Sequence, residues 1–256
     1  MLQRWIELDG VVNMRDLGGL ATTDGGVVQP HRLIRSDNLQ DLSPADVAHL
    51  VDLGVSDIVD LRSHREVHLT GEGPLRATAL RHHHHSFISE PLPGQDDPAF
   101  LSTRPEHLAT VKDQDYWSQH YRSYLVERPD SVSAALSVVA TAQGATIIHC
   151  AAGKDRTGTV VGLALAVAGV PRAEIVSDYV LTSERLDRII DRLSGVDPYR
   201  ETLRDKPRDE QIPLATSMDA LLTMVDDDFG SAAGWLRAQG WTDDEIDALR
   251  RKLTVE

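Results

Sequence analysis

One short segment of this chain restricts its possible folds more than any other. Ala145–His149 has the length and apolar character of a buried strand, and a loop from Cys150 to Arg156 follows it. Residues 157–168 are apolar and rich in small side chains, and Gly169 ends that pattern. A strand, a tight loop and a helix in this order are typical of an α/β fold. We therefore predict an α/β protein with a mostly parallel central sheet flanked by helices.

The same order of elements occurs earlier in the chain. Ser43 and Pro44 are suited to begin a helix and Gly54 to end it, and residues 55–61 are then predicted to form a strand. A second helix is predicted over residues 131–142, directly before the strand described above. Alternating helices and strands favour a parallel arrangement of the strands.

The region between these elements has a different composition. Residues 86–104 are rich in proline and predict a long loop, and residues 116–127 show a helical pattern with several aromatic side chains. We predict that residues 86–128, approximately, form a helical lid insertion within a single domain spanning residues 1–256. The alternative is a surface excursion that packs on its own aromatic side chains.

Composition and charge limit the classes of partner. The chain has 256 residues, of which 26 are basic and 40 acidic, for a net charge of -14. Such a surface repels nucleic acid and anionic membranes at long range. No apolar run approaches the roughly 20 residues that span a bilayer, and residues 1–9 lack the apolar core of a signal peptide. We expect no nucleic-acid partner, no stable membrane association and a cytoplasmic location, and make no prediction of oligomeric state.

Cys150 is the only cysteine of the chain, which excludes an internal disulfide and a zinc site built from several cysteines. It lies between a strand and a helix, where backbone N–H groups and the helix dipole form a cradle for an anion. Gly153 allows a tight loop, and the spacing lets the Arg156 guanidinium close one side of it as a planar fork. The predicted phosphate-binding residues are Ala151, Ala152, Gly153, Lys154, Asp155 and Arg156.

The same arrangement predicts nucleophilic catalysis. The cradle, Arg156 and the helix N-terminus favour a negative charge on the sulfur of Cys150. This thiolate would attack phosphorus in line and form a phosphocysteine that water hydrolyses, while Arg156 and the loop amides stabilise the equatorial oxygens. Thr157 is placed to offer its hydroxyl to the sulfur when the thiolate leaves, and His149 to orient the loop.

Three other interpretations of this segment are weaker. A nucleotide-binding loop of the Walker type is excluded because Gly153-Lys154 lacks the earlier glycine and is followed by Asp155. A buried structural cysteine would not explain the spacing of His149, Gly153 and Arg156 around it. A rhodanese-like sulfur transferase also uses a cysteine loop, but the glycine pattern of this loop suits phosphate better.

The ten residues from His149 to Gly158 resemble the Cys-x5-Arg loop of protein tyrosine phosphatases and dual-specificity phosphatases. Their form, His-Cys-Ala-Ala-Gly-Lys-Asp-Arg-Thr-Gly, is similar to that of the atypical bacterial tyrosine/serine phosphatase family. Five further blocks resemble landmarks of that family and extend the resemblance over nearly the whole chain. They are residues 13–19, 32–36, 60–66, 177–179 and 229–231.

The resemblance implies a phosphotyrosine phosphatase-like α/β domain with a helical lid and no metal ion or other cofactor. It implies activity on phosphotyrosine, with phosphoserine, phosphothreonine and, in some members, phosphoinositides as further substrates. Export without a recognisable signal peptide also occurs in the family. Lys154, which marks the family, would contact a polyanionic head group or strengthen the phosphate field. The chain has no Trp-Pro-Asp element, so Asp155 and Asp60 are the candidates for the general acid, and the resemblance favours Asp155.

Two other groups of residues call for an interpretation. Histidines 82–85 resemble a metal site, but consecutive side chains on a strand point to opposite faces, so we interpret them as polar strand or loop positions. Arg15, Asp16 and Arg62 are predicted to form a buried ion-pair network that supports the loop. Arg62 is also a weaker candidate for contacting substrate.

The leading hypothesis is a metal-independent phosphatase that hydrolyses phosphotyrosine through a phosphocysteine, with a phosphorylated protein or another phosphomonoester as its substrate. A phosphoinositide phosphatase is the first alternative, which Lys154 permits although Ala151 and Ala152 add no positive charge. The second alternative is a phosphate-binding module with weak turnover. Against that module, a degenerate site usually lacks at least one catalytic residue, whereas this chain has all four: Cys150, Asp155, Arg156 and Thr157.

Overall fold

The computed structural model describes residues 4–89, 114–203 and 207–255 of the chain. Its strands form one five-stranded sheet and one two-stranded sheet. In chain order the strands are β1 (Arg15–Asp16), β2 (Val27–Val28), β3 (Leu33–Ser36), β4 (Val55–Asp60), β5 (Arg81–His84), β6 (Ala145–His149) and β7 (Thr254–Val255).

The larger sheet is mostly parallel. Its strand order is β1-β3-β6-β4-β5, and β1 alone runs antiparallel to its neighbour. The smaller sheet pairs β2 with β7 in antiparallel orientation. The predicted α/β fold with a mostly parallel central sheet is therefore confirmed. The strand predicted over residues 55–61 ends at Asp60, and β6 has the predicted bounds.

Helices cover both faces of the central sheet. They are α1 (Pro44–Asp52), α2 (His64–Thr70), α3 (Gln114–Glu127), α4 (Pro129–Thr141), α5 (Asp155–Val167), α6 (Arg172–Leu181), α7 (Leu186–Ser194), α8 (Tyr199–Leu203), α9 (Ala215–Phe229), α10 (Ala232–Ala238) and α11 (Asp243–Leu253). Short 3₁₀ helices occupy Pro74–Ala77, Thr182–Arg185 and Arg208–Gln211.

Capping interactions explain where the first helices begin. The Ser43 side chain accepts a hydrogen bond from the Asp46 N–H, and the Asp46 carboxylate accepts one from the Ser43 N–H, which together form a capping box before α1. The start of α5, in contrast, differs from the prediction. The helix begins at Asp155, two residues early, because the Gly158 N–H already donates to the Lys154 carbonyl at 2.8 Å. The residue expected to precede the helix, Arg156, therefore lies in its first turn.

The central strand β6 is buried on both faces, as expected of a strand with parallel neighbours and helices on either side. Ile148 belongs to the hydrophobic cluster formed with α4 and α5, and Ile147 to a second cluster that contains Leu50 of α1. Both isoleucines are fully buried, and each contributes about 1.5–3 kcal/mol to folding through its apolar surface. The end of β6, where Cys150 follows, is thereby fixed by packing on two sides.

The predicted lid is described only in part. The helix expected over residues 116–127 is α3, whose Tyr121 and Tyr124 are buried in the main cluster. Residues 90–113 lie outside the described part of the chain. The lid and the single-domain organisation stay predictions.

A buried ion cluster around Asp178 holds β1 and β3 against α6. Its carboxylate accepts hydrogen bonds from Arg15 Nε at 3.1 Å and from Arg35 Nη1 at 2.7 Å, and Arg4 pairs with it as well. Arg15, Arg35 and Asp178 are each at most 1% exposed. Burial alone would raise the pKa of Asp178, but the three arginines hold that pKa below its usual range. The carboxylate therefore stays ionised in the interior.

This cluster differs from the predicted network of Arg15, Asp16 and Arg62. Arg15 and Asp16 are consecutive on β1, so their side chains point to opposite faces. Asp16 instead accepts hydrogen bonds from the backbone N–H groups of Gly18 and His31. Arg62 follows β4, three strands away from β1, and pairs with the carboxylate at the end of that strand. The three residues therefore do not form one network.

None of the helices in the described ranges is long and apolar enough to cross a membrane.

Replacing Asp178 tests how much the ion cluster stabilises the fold. The Asp178→Asn variant should lose about 3 kcal/mol or more of unfolding free energy, because Arg15 and Arg35 stay buried without a countercharge. Urea unfolding at pH 7 measures the change. Asp187→Asn is the control, since Asp187 pairs with Arg208 at the surface, where ion pairs contribute little. Equal stability of Asp178→Asn and the wild type would contradict the prediction.

Candidate functional site

The candidate site is the loop of residues 150–154, which joins β6 to α5 at the C-terminal edge of the central sheet. Its flanking strands are β3 and β4. The N-terminus of α5 faces the loop with the positive end of the helix dipole. Cys150 is only 3% exposed and packs in the same cluster as Tyr121 and Tyr124 of α3. The thiol is thus enclosed by the sheet, the loop and neighbouring helices.

Three carbonyl groups of the loop are held by groups outside it. The Asn38 N–H donates to the Ala151 carbonyl at 3.0 Å, and Asn13 Nδ2 donates to the Ala152 carbonyl at 2.9 Å. Arg35 Nη2 donates to the Gly153 carbonyl at 2.7 Å. In a trans peptide the N–H points away from the carbonyl of the same unit. Fixing these carbonyls outward therefore turns the next N–H groups toward the inside of the loop, where they can bind an anion.

The loop requires glycine at position 153. Gly153 has φ 65°, in the left-handed region that side chains disfavour. A Cβ atom there would also lie 2.4 Å from the Ser36 carbonyl oxygen of β3. Both constraints exclude a larger residue, which agrees with the prediction that Gly153 allows a tight loop.

Arg156 is oriented by Glu66, a residue that the sequence analysis did not include in the site. Arg156 Nη1 and Nη2 donate to the two carboxylate oxygens of Glu66 at 2.5 and 2.9 Å. Glu66 also accepts from the Ser63 N–H at 2.7 Å, as part of the capping box that begins α2. Burial would raise the pKa of Glu66, but Arg156 holds that pKa below its usual range. The pair therefore stays ionised and fixes the guanidinium.

The guanidinium keeps donors for a further anion. Of its five N–H groups, two are used by Glu66, and one contacts the Leu61 carbonyl at 3.4 Å. The edge formed by Nε and the second N–H of Nη2 is the part that can receive two oxygens of one phosphate.

Asp155 is the first residue of α5 and is held by α3. The Tyr121 hydroxyl donates to Asp155 Oδ1 at 2.5 Å and lies 2.5 Å from the Tyr179 hydroxyl. Burial, followed by the Asp155 charge, raises the pKa of Tyr121 well above its usual value, so this hydroxyl stays protonated and can donate. The Asp155 side chain is 22% exposed and remains accessible from outside.

Asp60, the other candidate for the general acid, is engaged elsewhere. Its carboxylate accepts from Arg62 Nε at 2.9 Å and from the Arg62 N–H at 2.9 Å. His149 Nε2 lies 3.8 Å away. Burial would raise the pKa of Asp60, but His149 and Arg62 hold it below its usual range. Arg62 is fully buried in this pairing; it also donates to Thr70 Oγ1 at 2.6 Å.

Two further predicted residues have distinct surroundings. Lys154 is buried, and its Nζ donates to the Gln211 carbonyl at 2.8 Å and lies 3.7 Å from Asp155 Oδ2. Lys154 therefore faces the segment Arg208–Gln211.

The Thr157 hydroxyl is buried and has no hydrogen-bond partner within the described ranges. It is free to bond to a group that enters the loop.

Histidines 82–85 lie on or next to the edge strand β5. His83 Nε2 lies 2.8 Å from Asp57 Oδ1, His82 Nε2 lies 3.1 Å from the Leu75 carbonyl, and His84 Nε2 lies 2.7 Å from the Arg62 carbonyl. Over the described residues, no group of three or more His, Cys, Asp or Glu side chains is arranged to hold a metal ion.

The contacts that shape the site come from distant parts of the chain. The residues that the sequence analysis did not assign to it are Asn13, Arg35, Glu66, Tyr121 and Tyr179. Asn13, Arg35, Glu66 and Tyr179 lie within blocks that resemble family landmarks, but that resemblance does not indicate that they contact the loop. The capping box of Ser63 and Glu66 marks a helix start and says nothing about Arg156.

Comparisons with known proteins identify the relatives of this chain. A sequence profile described as the tyrosine phosphatase family matches residues 6–255. The triple specificity protein phosphatase PtpB of Mycobacterium tuberculosis is 29% identical over an alignment of 275 residues, covering 96% of this chain and 98% of that protein. A tyrosine-protein phosphatase of Nostoc commune is 28% identical over 225 residues, covering 86% of this chain and 73% of that protein. TpbA of P. aeruginosa, crystallised with pTyr, aligns with a TM-score of 0.34 at 15% identity, over 80% of this chain and 99% of that chain.

The burial of His149 predicts a pH dependence of stability. Burial lowers the pKa of His149 to about 4 from its ordinary 6.5, so the unfolded chain takes up this proton first as the pH falls. Stability is therefore lost between pH 6.5 and 4, on the order of 3 kcal/mol in total. Urea unfolding at intervals from pH 7 to pH 5 should give a shallower slope for His149→Asn than for the wild type. Identical slopes would contradict this assignment.

Proposed function

Because the chain belongs to the tyrosine phosphatase family of protein phosphatases, we propose that it removes phosphate from phosphotyrosine through a phosphocysteine at Cys150. The observation that supports this most directly is the fixed position of Arg156. Glu66 orients the guanidinium in the first turn of α5, and two of its N–H donors, on the edge away from that carboxylate, have no partner among the described residues. A phosphate bound by this edge and by the inward N–H groups would lie next to the sulfur.

The first step transfers the phosphoryl group to sulfur. The Cys150 thiolate attacks phosphorus, the S–P bond forms, and the P–O bond to the tyrosine oxygen breaks. Asp155 gives its proton to that oxygen, so the product leaves as neutral tyrosine. Arg156 and the loop N–H groups stabilise the charge on the equatorial oxygens.

The second step returns the enzyme to its starting state. Asp155, now a carboxylate, takes a proton from water as the water oxygen attacks phosphorus. The S–P bond breaks, inorganic phosphate forms, and sulfur leaves as a thiolate. The Thr157 hydroxyl, buried and without a partner among the residues described, would donate a hydrogen bond to that thiolate.

Asp155 suits the role of general acid better than Asp60. It begins the same helix as Arg156 and is partly exposed, and a tyrosine hydroxyl fixes one carboxylate oxygen. Asp60 is committed to a bidentate pair with Arg62 and has a lowered pKa, so it does not hold a proton to donate. We assign Asp60 to the support of Arg62 and His149.

The surroundings of the loop favour an aryl phosphate over a phosphoinositide. Lys154, the candidate for a polyanionic head group, gives its ammonium to the Gln211 carbonyl. The side chains of Tyr121 and Tyr124 are buried on the side of Asp155 and Arg156. They line this side with aromatic rings and add no positive charge. Phosphoserine and phosphothreonine are secondary substrates in this proposal, in line with the name of the mycobacterial relative, a triple specificity protein phosphatase.

Hydrolysis of p-nitrophenyl phosphate and of a phosphotyrosine peptide tests the proposal, with a metal chelator present throughout. The wild type should turn over both substrates, and Cys150→Ser should lose turnover while it still binds phosphate, because an alcohol replaces the thiolate. Equal inactivity of both proteins, with phosphate binding retained, would favour the phosphate-binding module. Activity that survives the substitution, or that requires a metal ion, would refute the phosphocysteine mechanism.

Substrates with good and poor leaving groups distinguish whether Asp155 or Asp60 is the general acid. Asp155→Asn should slow phenyl phosphate, a poor leaving group, by about 10²–10⁴-fold and p-nitrophenyl phosphate far less, since only the first needs a proton donor. Asp60→Asn serves as the comparison and should change both rates by the same factor. A selective loss on phenyl phosphate in Asp60→Asn, and not in Asp155→Asn, would reverse the assignment.

Glu66→Gln tests the orientation of Arg156. Glutamine can still accept from the Ser63 N–H and keep the capping box, but it removes the charge that fixes the guanidinium. We expect kcat on p-nitrophenyl phosphate to fall by about 10²-fold, as when one transition-state donor is lost. Ser63→Ala is the matched control: it costs about 1 kcal/mol of stability and leaves kcat near the wild-type value. Equal kcat losses in both variants would show that the helix start matters and the ion pair does not.

A further inference from the structure

Tyr199 packs directly against the catalytic loop, although neither the loop motif nor the mechanism above uses it. It is the first residue of α8 and is 7% exposed. Its side chain belongs to a small hydrophobic cluster with Ala151 of the loop and with Ile189 and Leu193 of α7. The ring thus packs against the loop whose backbone would bind phosphate.

The Tyr199 hydroxyl is buried and has no hydrogen-bond partner of ordinary geometry in the described part of the chain. A buried polar group without a partner destabilises a fold. Phenylalanine would fill nearly the same space in this cluster without that cost. A hydroxyl at this position has a physical reason if it forms a hydrogen bond to a ligand that binds in the loop.

The charged groups around this hydroxyl are those of the phosphate site. Burial raises the pKa of Tyr199, and the charges of Glu66, Arg62 and Arg156 act on it as well. The hydroxyl therefore stays protonated and can donate. Glu66 is already occupied by Arg156 and the Ser63 N–H, and Arg62 by Asp60 and Thr70. Within the described residues, the Tyr199 hydroxyl has no acceptor for its proton.

We propose that Tyr199 is a substrate-contacting residue, whose hydroxyl donates a hydrogen bond to an oxygen of the phosphoryl group bound between the loop N–H groups and Arg156. The proposal rests on the proposed function, since it uses the same phosphate position. A phosphate oxygen there would give the hydroxyl its missing acceptor. Tyr199 would then add a neutral donor from a helix more than forty residues further along the chain.

Tyr199→Phe tests the contact with inorganic phosphate as a competitive inhibitor of p-nitrophenyl phosphate hydrolysis. The inhibition constant should rise about tenfold, as expected for one lost hydrogen bond to a charged group. The urea midpoint should stay equal or increase, because the variant removes an unpaired buried hydroxyl. Titration of phosphate into Cys150→Ser, with and without Tyr199→Phe, should show the same change in affinity without any turnover.

Thr146→Val is the matched control. Its hydroxyl is also buried and unpartnered, and Thr146 lies near the opposite end of β6, about 13 Å from Cys150 along the strand. This variant should keep the wild-type inhibition constant. If the wild type turns over substrate and Tyr199→Phe binds phosphate as tightly as the wild type, the proposed role of Tyr199 is wrong and the proposed function stands. If the wild type neither turns over substrate nor binds phosphate, both are wrong.

Discussion

The loop of residues 150–154 depends on the ion cluster formed by the buried carboxylate of Asp178 with Arg15 and Arg35. The carboxylate is shared by Arg15 and Arg35, which come from neighbouring antiparallel strands. Arg35 uses its other nitrogen to hold the Gly153 carbonyl of the loop. One ion cluster in the interior thus joins the sheet, α6 and the phosphate cradle. A charge of this kind is tolerated only because each partner is hydrogen-bonded and paired.

The net charge of the molecule opposes the approach of phosphate, so phosphate binding would depend on positive groups close to the loop. A chain with a net charge of -14 repels phosphate at long range. Positive charge is therefore concentrated at one place, by Arg156, by Arg35 and by the N-terminus of α5. The acidic side chains nearby are used to hold arginines: Glu66 orients Arg156, and Asp60 pairs with Arg62. The negative groups thereby fix the geometry of the cation that would meet the substrate.

Much of the fold followed from local sequence signals. Ser43 and Gly54 bound α1, the apolar run at residues 145–149 is β6, and the parallel sheet follows from the alternation of helices and strands. The start of α5 was predicted two residues late. The first turn is closed by a hydrogen bond from the Gly158 N–H to the Lys154 carbonyl, and no side-chain pattern in the sequence indicates this bond. Arg15, Asp16 and Arg62 were grouped wrongly, since the pleat of β1 and the strand order separate them.

The sequence by itself determined the local arrangement of the loop: a cysteine at a strand end, a glycine that permits the turn, and an arginine six residues after the cysteine. These are properties of adjacent residues, set by spacing and backbone geometry. The tertiary structure decided which groups hold them, because Glu66, Arg35, Tyr121 and Tyr199 reach the loop from positions far away in the chain. Such contacts depend on strand order and on the packing of helices across the sheet, and neither is encoded in the spacing of neighbouring residues.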